Sequence, residues 1–323
     1  MRPPRRLALC VLALLALLSG AAAQEFPSRP VKFVVPLAAG GGIDFTARVT
    51  AQKLSEIIGQ QVVVENQGGA GGSIGVNQVV RAAPDGYTLL YHSVTGIVNA
   101  AVAKDLPFDY LRDLVPVALV TRFAAVMVIN PGVEAKNLKE FITLAKANPG
   151  KFSYGSSGPG TGIHLASELF KLTAGVDIVH VPYRGNAGVM PDLLAGRIHM
   201  LIDGVPPQVK NIEGGLVRAL GVLSKARTTA LQNVPTMIEQ GLDYEVPYWT
   251  AIYAPAATPK PIVDKLAADI AKTMKDAGVV ARLGNAGTEA VGSGAAELDA
   301  FNRDQLALYR RIVQDPKLQL NLQ

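Results

Sequence analysis

Three stretches of the sequence hold residues of the kind that bind anions. Residues 154–170 read YGSSGPGTGIHLASELF, with Ser156, Ser157 and Thr161 set among glycines directly ahead of an apolar spacing that predicts an amphipathic helix. Residues 39–46 include Ala39-Gly40-Gly41-Gly42-Ile43-Asp44, and residues 67–75 include Gly68-Gly69-Ala70-Gly71-Gly72. A small-residue loop at a helix start leaves backbone N–H groups uncovered where the helix dipole is positive, which makes it a cradle for negative charge. A glycine-rich turn also serves simply to reverse the chain, so one such loop alone decides nothing. Three at the same ends of their strands, one carrying three hydroxyls, favour a site.

Other chemistries are testable by spacing. A dinucleotide fingerprint needs a third glycine at the sixth position, where Gly69-x-Gly71 has Ile74 and Gly40-x-Gly42 has Phe45. A phosphate loop needs Gly-Lys-Ser/Thr, a triplet this sequence lacks. A hydrolase elbow needs Gly-x-Ser-x-Gly, and Gly155-Ser156-Ser157-Gly158 runs into Pro159 instead. The four histidines, His92, His164, His180 and His199, are scattered singly without zinc-site spacing. No catalytic residue, metal site or cofactor is expected. His164 stands apart because it falls in the first turn behind the 155–162 loop, where capping, packing and ligand contact all remain open.

The elements that must position these loops alternate in type. Strand-like runs at 31–38, 61–66, 87–93, 124–130, 177–183, 198–203 and 217–223 are separated by turns or by helical spacing such as Ala47, Ala51, Leu54 and Ile58. This alternation predicts an α/β protein with largely parallel sheets, whose ligands collect beyond the carboxyl ends of the strands. At 323 residues and 49% hydrophobic, the chain is long enough for two domains or lobes.

The first residues specify a compartment. Arg2, Arg5 and Arg6 precede an apolar run from Leu7 to Leu18 and then Ser19-Gly20-Ala21-Ala22-Ala23, the order of a secretory signal over residues 1–23. Without its three arginines, the 31 basic residues become 28 against 26 acidic ones, a net of +2 rather than +5. No basic stripe interleaved with aromatics appears, so nucleic acid is not an expected partner. The single cysteine, Cys10, lies in the leader, so neither disulfides nor thiol chemistry are expected in the mature chain.

The ordered segments ENQGGAGGSIG, APDGYTLL, LAKANPGKFSYGSSGPGTGIHLASELFK, VDIVHVPYRG and NVPTMIEQGL resemble the substrate-binding proteins of tripartite tricarboxylate transporters, the Bug family, over essentially all of the mature chain. The resemblance implies a two-lobed type II periplasmic-binding fold with its ligand cleft between the lobes. It implies a monomeric periplasmic protein that takes a small carboxylate and delivers it to a large and a small membrane subunit. A periplasmic sensor that presents the bound acid to a signalling partner would use the same site. The implied lobes are residues 24–124 plus 250–323, and 125–249, with crossings near LVPVALVT and YEVPYWTAIYAP. The implied ligand contacts are Gly41, Gly42, Ile43 and Asp44 on the first loop, with Asp44 ordering it through backbone amides or Arg48. Ser156, Ser157, Gly160, Thr161 and His164 would follow on the second, with Tyr183 and Asp203 at the cleft. Gly42 stands where the family usually has proline, and Ile43 where a polar residue is common. Trp249, near the second crossing, is expected to sense closure.

Overall fold

The computed structural model describes residues 26–102, 106–246 and 248–314; the leader read over 1–23 lies outside them. Its strands are β1 (Val31–Val35), β2 (Val62–Asn66), β3 (Thr88–Ser93), β4 (Leu114–Phe123), β5 (Ala125–Ile129), β6 (Ser153–Ser156), β7 (Val179–Pro182), β8 (Met200–Gly204), β9 (Arg218–Val222), β10 (Tyr248–Pro255) and β11 (Thr288–Ala290). Its helices are α1 (Gly42–Ile58), α2 (Ser73–Val80), α3 (Val94–Val102), α4 (Leu138–Ala147), α5 (Gly162–Ala174), α6 (Asn186–Leu194), α7 (Val205–Glu213), α8 (Lys260–Lys275), α9 (Ala277–Gly284) and α10 (Ala295–Val313).

The strands form two sheets, ordered β11-β4-β10-β3-β1-β2 and β7-β6-β8-β5-β9. Both have helices on both faces, which is why their strands read as unbroken apolar runs rather than alternating ones. In β1, Val31, Phe33 and Val35 bury against Ala47 and Leu54 of α1, while Val34 faces the opposite core with Val76 and Val94. In β5, Val126 and Val128 join Val189 and Leu193 of α6, while Met127 and Ile129 join the core containing Phe141 and Phe170. α1 stops at Gly59, whose φ of 67° is the left-handed conformation that closes a helix without a Cβ clash.

All seven strands read from the sequence form, within a few residues of their expected ends. The sheets are mixed, however, rather than largely parallel. β1–β2, β1–β3, β6–β7 and β6–β8 run parallel, whereas β3–β10, β4–β10, β4–β11, β5–β8 and β5–β9 run antiparallel. The antiparallel pairs arise where the chain passes between sheets. LVPVALVT belongs to the long strand β4, which leads through Ala124 alone into β5 of the other sheet. The chain returns as β10, and Phe123 and Tyr248 face each other in register across the β4–β10 ladder. Pro116 lacks an N–H for that ladder, and its partner Tyr253 sits at a register shift, the kind of irregularity that admits proline to a strand.

Among the described residues no helix is long and apolar enough to cross a membrane.

Candidate ligand-binding cleft

Three helices begin at one cleft between the sheets: α1 behind β1, α3 directly behind β3 and α5 behind β6. Gly41 and Gly42 at the first start, Ser93 and Thr95 at the second and Ser157 and Ile163 at the third all line this cleft.

At α1 the N-cap is Gly41, which offers no capping side chain. The amides of Gly42, Ile43 and Asp44 lie in the first turn, where the helix supplies no acceptor. Asp44 orders this loop in both expected ways. Its Oδ2 accepts from the Gly40 amide (3.0 Å) and from Arg48 Nε (3.0 Å), and its Oδ1 lies 2.9 Å from the second arm of the same guanidinium. Burial alone would push this carboxyl up; the bonds from Arg48, Gly40 and Asn66 together with the arginine charge outweigh it and hold the group below the ordinary carboxylate value.

At α5 the loop is knitted by its own hydroxyls. Ser156 Oγ accepts from the Gly158 amide (3.1 Å) and pairs with His180 Nε2 (2.6 Å). Thr161 is the N-cap: its Oγ1 donates to Gly158 O (2.7 Å) and accepts from the His164 amide (3.3 Å). The Gly160 amide donates to His164 Nδ1 (3.1 Å), which places the proton of the neutral ring on Nε2. Behind the loop, Tyr154, His180 and His164 stack, with centroids 4.9 Å and then 4.1 Å apart. Burial, reinforced by the Lys171 charge, lowers His180 to about 4; burial, with His180 and Lys171 nearby, lowers His164 to about 3. Both rings are therefore neutral near pH 7.

At α3, Ser93 and Thr95 line the cleft. Ser93 Oγ accepts from the Thr95 amide (3.2 Å), and Thr95 Oγ1 accepts from the Gly162 amide (3.2 Å) on the far side. Each hydroxyl keeps its own proton to donate. Asp203, next to last in β8, has its carboxylate held by the Gly204 amide and by Gln208 Nε2, both at 2.8 Å. Phe123 closes the floor: a Cβ at Gly204 would stand 2.9 Å from its ring, and one at Gly42 3.9 Å.

Of the residues singled out in the sequence, Gly41, Gly42, Ile43, Asp44, Ser157 and Asp203 line this cleft. Ser156, Gly160, Thr161 and His164 stand behind it as the frame of the α5 loop. Tyr183 is turned elsewhere, donating its hydroxyl to Asp192 (2.5 Å). The 68–72 loop packs against the α5 loop, with Gly71 so close to the Pro159 carbonyl that an added Cβ would meet it at 2.7 Å. Trp249 points away from the cleft onto Phe301 (5.3 Å). Sequence reasoning missed Ser93, Thr95, Phe123 and Tyr248. The first two were visible as hydroxyls at the carboxyl end of a predicted strand; the other two flank the proline-marked crossings.

Residues 46–318 match the family model described as the tripartite tricarboxylate transporter family receptor. The chain belongs to this family. A protein encoded in the tcbD-tcbE intergenic region of Pseudomonas sp. strain P51 is 39% identical over 98% of this chain and 96% of its own. Among solved structures, the periplasmic binding protein BugD superposes with a TM-score of 0.87 at 33% identity, covering 91% of this chain and 99% of its own. An R. palustris protein solved with adipate superposes with a TM-score of 0.86 at 31% identity, covering 90% and 98%. The α/β architecture of two sheets around a cleft is thus that of periplasmic solute-binding proteins.

Proposed function

We propose that this protein is a periplasmic receptor that captures a small carboxylate and hands it, as a monomer, to the large and small membrane subunits of a tripartite tricarboxylate-type transporter. The observation that carries this reading is the convergence of three helix starts on one cleft, lined by first-turn residues of α1 and by the hydroxyl residues Ser93, Thr95 and Ser157. Charge-assisted bonds from such donors contribute about 1.5–3 kcal/mol each to a desolvated anion, so one carboxylate can be held without an arginine. Adipate in a structural relative is in keeping with this chemistry. The leader at 1–23 supports export. The role is capture and release, with no turnover of the bound acid.

A thermal-shift screen of the mature protein tests it. Ligand at 100 times its Kd adds about 2.7 kcal/mol, a rise of a few degrees in Tm. One acid from a panel of aliphatic, aromatic and amino acids should produce that rise. A panel of acids without effect beside an active neutral sugar would overturn the carboxylate assignment. Delivery is tested separately, by loss of uptake of that acid when the membrane subunits are deleted.

A further inference from the structure

The loops of the two sheets meet well away from the chain crossings. In the first sheet β1 and β2 lie two and three strands from β10; in the second, β6 and β7 lie two and three strands from β5. At the ~4.8 Å spacing of neighbouring strands, the loops behind these four stand about 10–15 Å from the place where the chain passes between sheets. They nevertheless touch. A Cβ at Gly185, behind β7, would stand 2.8 Å from Ala38 Cβ, behind β1. One at Gly68, behind β2, would stand 3.5 Å from the Arg184 carbonyl oxygen, and one at Gly71 2.7 Å from that of Pro159, behind β6. On the first-sheet side each point is a glycine or an alanine; on the second it is a glycine or a carbonyl oxygen. Main chain therefore meets main chain. Leu37 and Ala38 line the cleft as well, which makes this contact part of its rim. Asn99 of α3 holds the 68–72 loop in place, its Nδ2 donating to Gly71 O (2.8 Å).

Resting on the receptor reading above, we propose that this rim is a clasp: the two sides part here when ligand enters or leaves, and the main-chain contact at Ala38, Gly68 and Gly71 sets how long the cleft stays shut. The crossings from β4 into β5 and back into β10 serve as the hinge, and loops two and three strands away travel furthest for a given rotation. Space at the clasp is graded. At Gly68 a single methyl would lie 3.4–3.5 Å from Ala38 N, Leu37 C and the Arg184 carbonyl oxygen, an ordinary contact, whereas any larger side chain must displace that carbonyl. A side chain of that size holds the rim apart while leaving Ser93, Thr95 and Ser157 in place. Its effect falls on release rather than on capture, because ligand enters while the rim is open.

Pulsed electron paramagnetic resonance between spin labels at Val63→Cys on β2 and Val179→Cys on β7 is the test. Both valines are exposed, and the single natural cysteine, Cys10, lies in the leader. The mature chain is measured alone and with adipate, malate, benzoate or glutamate. With the natural rim, the spacing of this structure should appear as the short-distance population and grow with whichever acid binds. Gly68→Ala should leave that population as it is. Gly68→Val and Ala38→Leu should each deplete it by about half or more and raise koff of that acid about tenfold, with kon within about threefold of the natural value. Equal populations in all four rims under every condition would overturn the clasp and leave the receptor reading intact. Equal depletion by Gly68→Ala and Gly68→Val would overturn it too, since the position would then need glycine's backbone and not space. So would a natural chain without any population at this spacing. If no acid alters the distances or the Tm of the natural chain while a neutral sugar does, the acid-receptor reading falls, and the four rims measured with that sugar still decide the clasp.

Discussion

Ser157 and Thr161 carry the same functional group four residues apart, and the fold uses them differently. Thr161 is engaged twice within its own loop, whereas Ser157 lines the cleft. Thr161→Ala should therefore cost about 1 kcal/mol of stability as a lost N-cap, seen as a lower urea midpoint. Ser157→Ala should leave that midpoint in place and weaken every acidic ligand about tenfold or more in calorimetry. Equal effects on stability and binding in both variants would contradict this division. Asp44 carries a pH signature of its own. Its folded value lies below the ordinary 3.8, so its stabilisation is complete above about pH 4 and is lost as pH falls through the depressed folded value. Asp44→Asn should lower Tm at pH 7 and flatten the decline of Tm between pH 4 and 2. The loops were legible because glycines and hydroxyls directly ahead of an apolar helical spacing mark a helix start. Which hydroxyl stays free was not legible. That depends on His180, brought beside Ser156 by β7, and on Asp192, which draws Tyr183 away.

At the level of elements, the rings of Tyr154 on β6, His180 on β7 and His164 on α5 form a continuous stack that supports the α5 loop from behind. Both histidines are held below their ordinary value of 6.5, so between that value and their folded values the unfolded chain binds more protons than the folded one. Stability is complete above about pH 6.5 and falls as pH drops through about 4 for His180 and about 3 for His164. A urea series should show this decline starting near pH 6, ahead of the carboxylates. Replacing both histidines by glutamine should reduce the slope between pH 6 and 4, whatever it does to stability at pH 7; an undiminished slope would place the titration elsewhere. The strands behind these loops were readable because sheets covered on both faces demand unbroken β-branched runs, such as VKFVV. β4 and β10 were read as connectors instead, since prolines at 116 and 247 mimic boundaries. β6 was hidden because its last residues, Gly155 and Ser156, are the first of the loop.

For the whole molecule, the α3 and α5 sides of the cleft meet through the bond from the Gly162 amide to Thr95 Oγ1, and the 68–72 loop meets the α5 loop beside them. Ligand capture should be felt there and at Phe123 rather than at Trp249, which is 1% exposed and packed on α10. Saturating ligand is accordingly expected to leave the emission of Trp249 nearly unchanged. A Phe123→Trp, Trp249→Phe double variant should respond clearly; a large response from Trp249 in the natural chain would mean that closure reaches α10.

The pairing of Phe123 with Tyr248 makes the chain between them, in topological terms, an insertion at the tip of a β4–β10 hairpin. Its two ends leave and rejoin the first sheet as hydrogen-bonded neighbours, so the chain enters and leaves the β5–β9 sheet at one place on the scaffold. A segment attached in this way is modular. Exchanging residues 124–247 for the equivalent stretch of a relative with a different acid would transplant Ser157, Ile163 and Asp203 together while leaving Ile43, Ser93 and Phe123 in place. Such chimaeras should fold, and they would separate the part of ligand choice written in the insert from the part written in the scaffold.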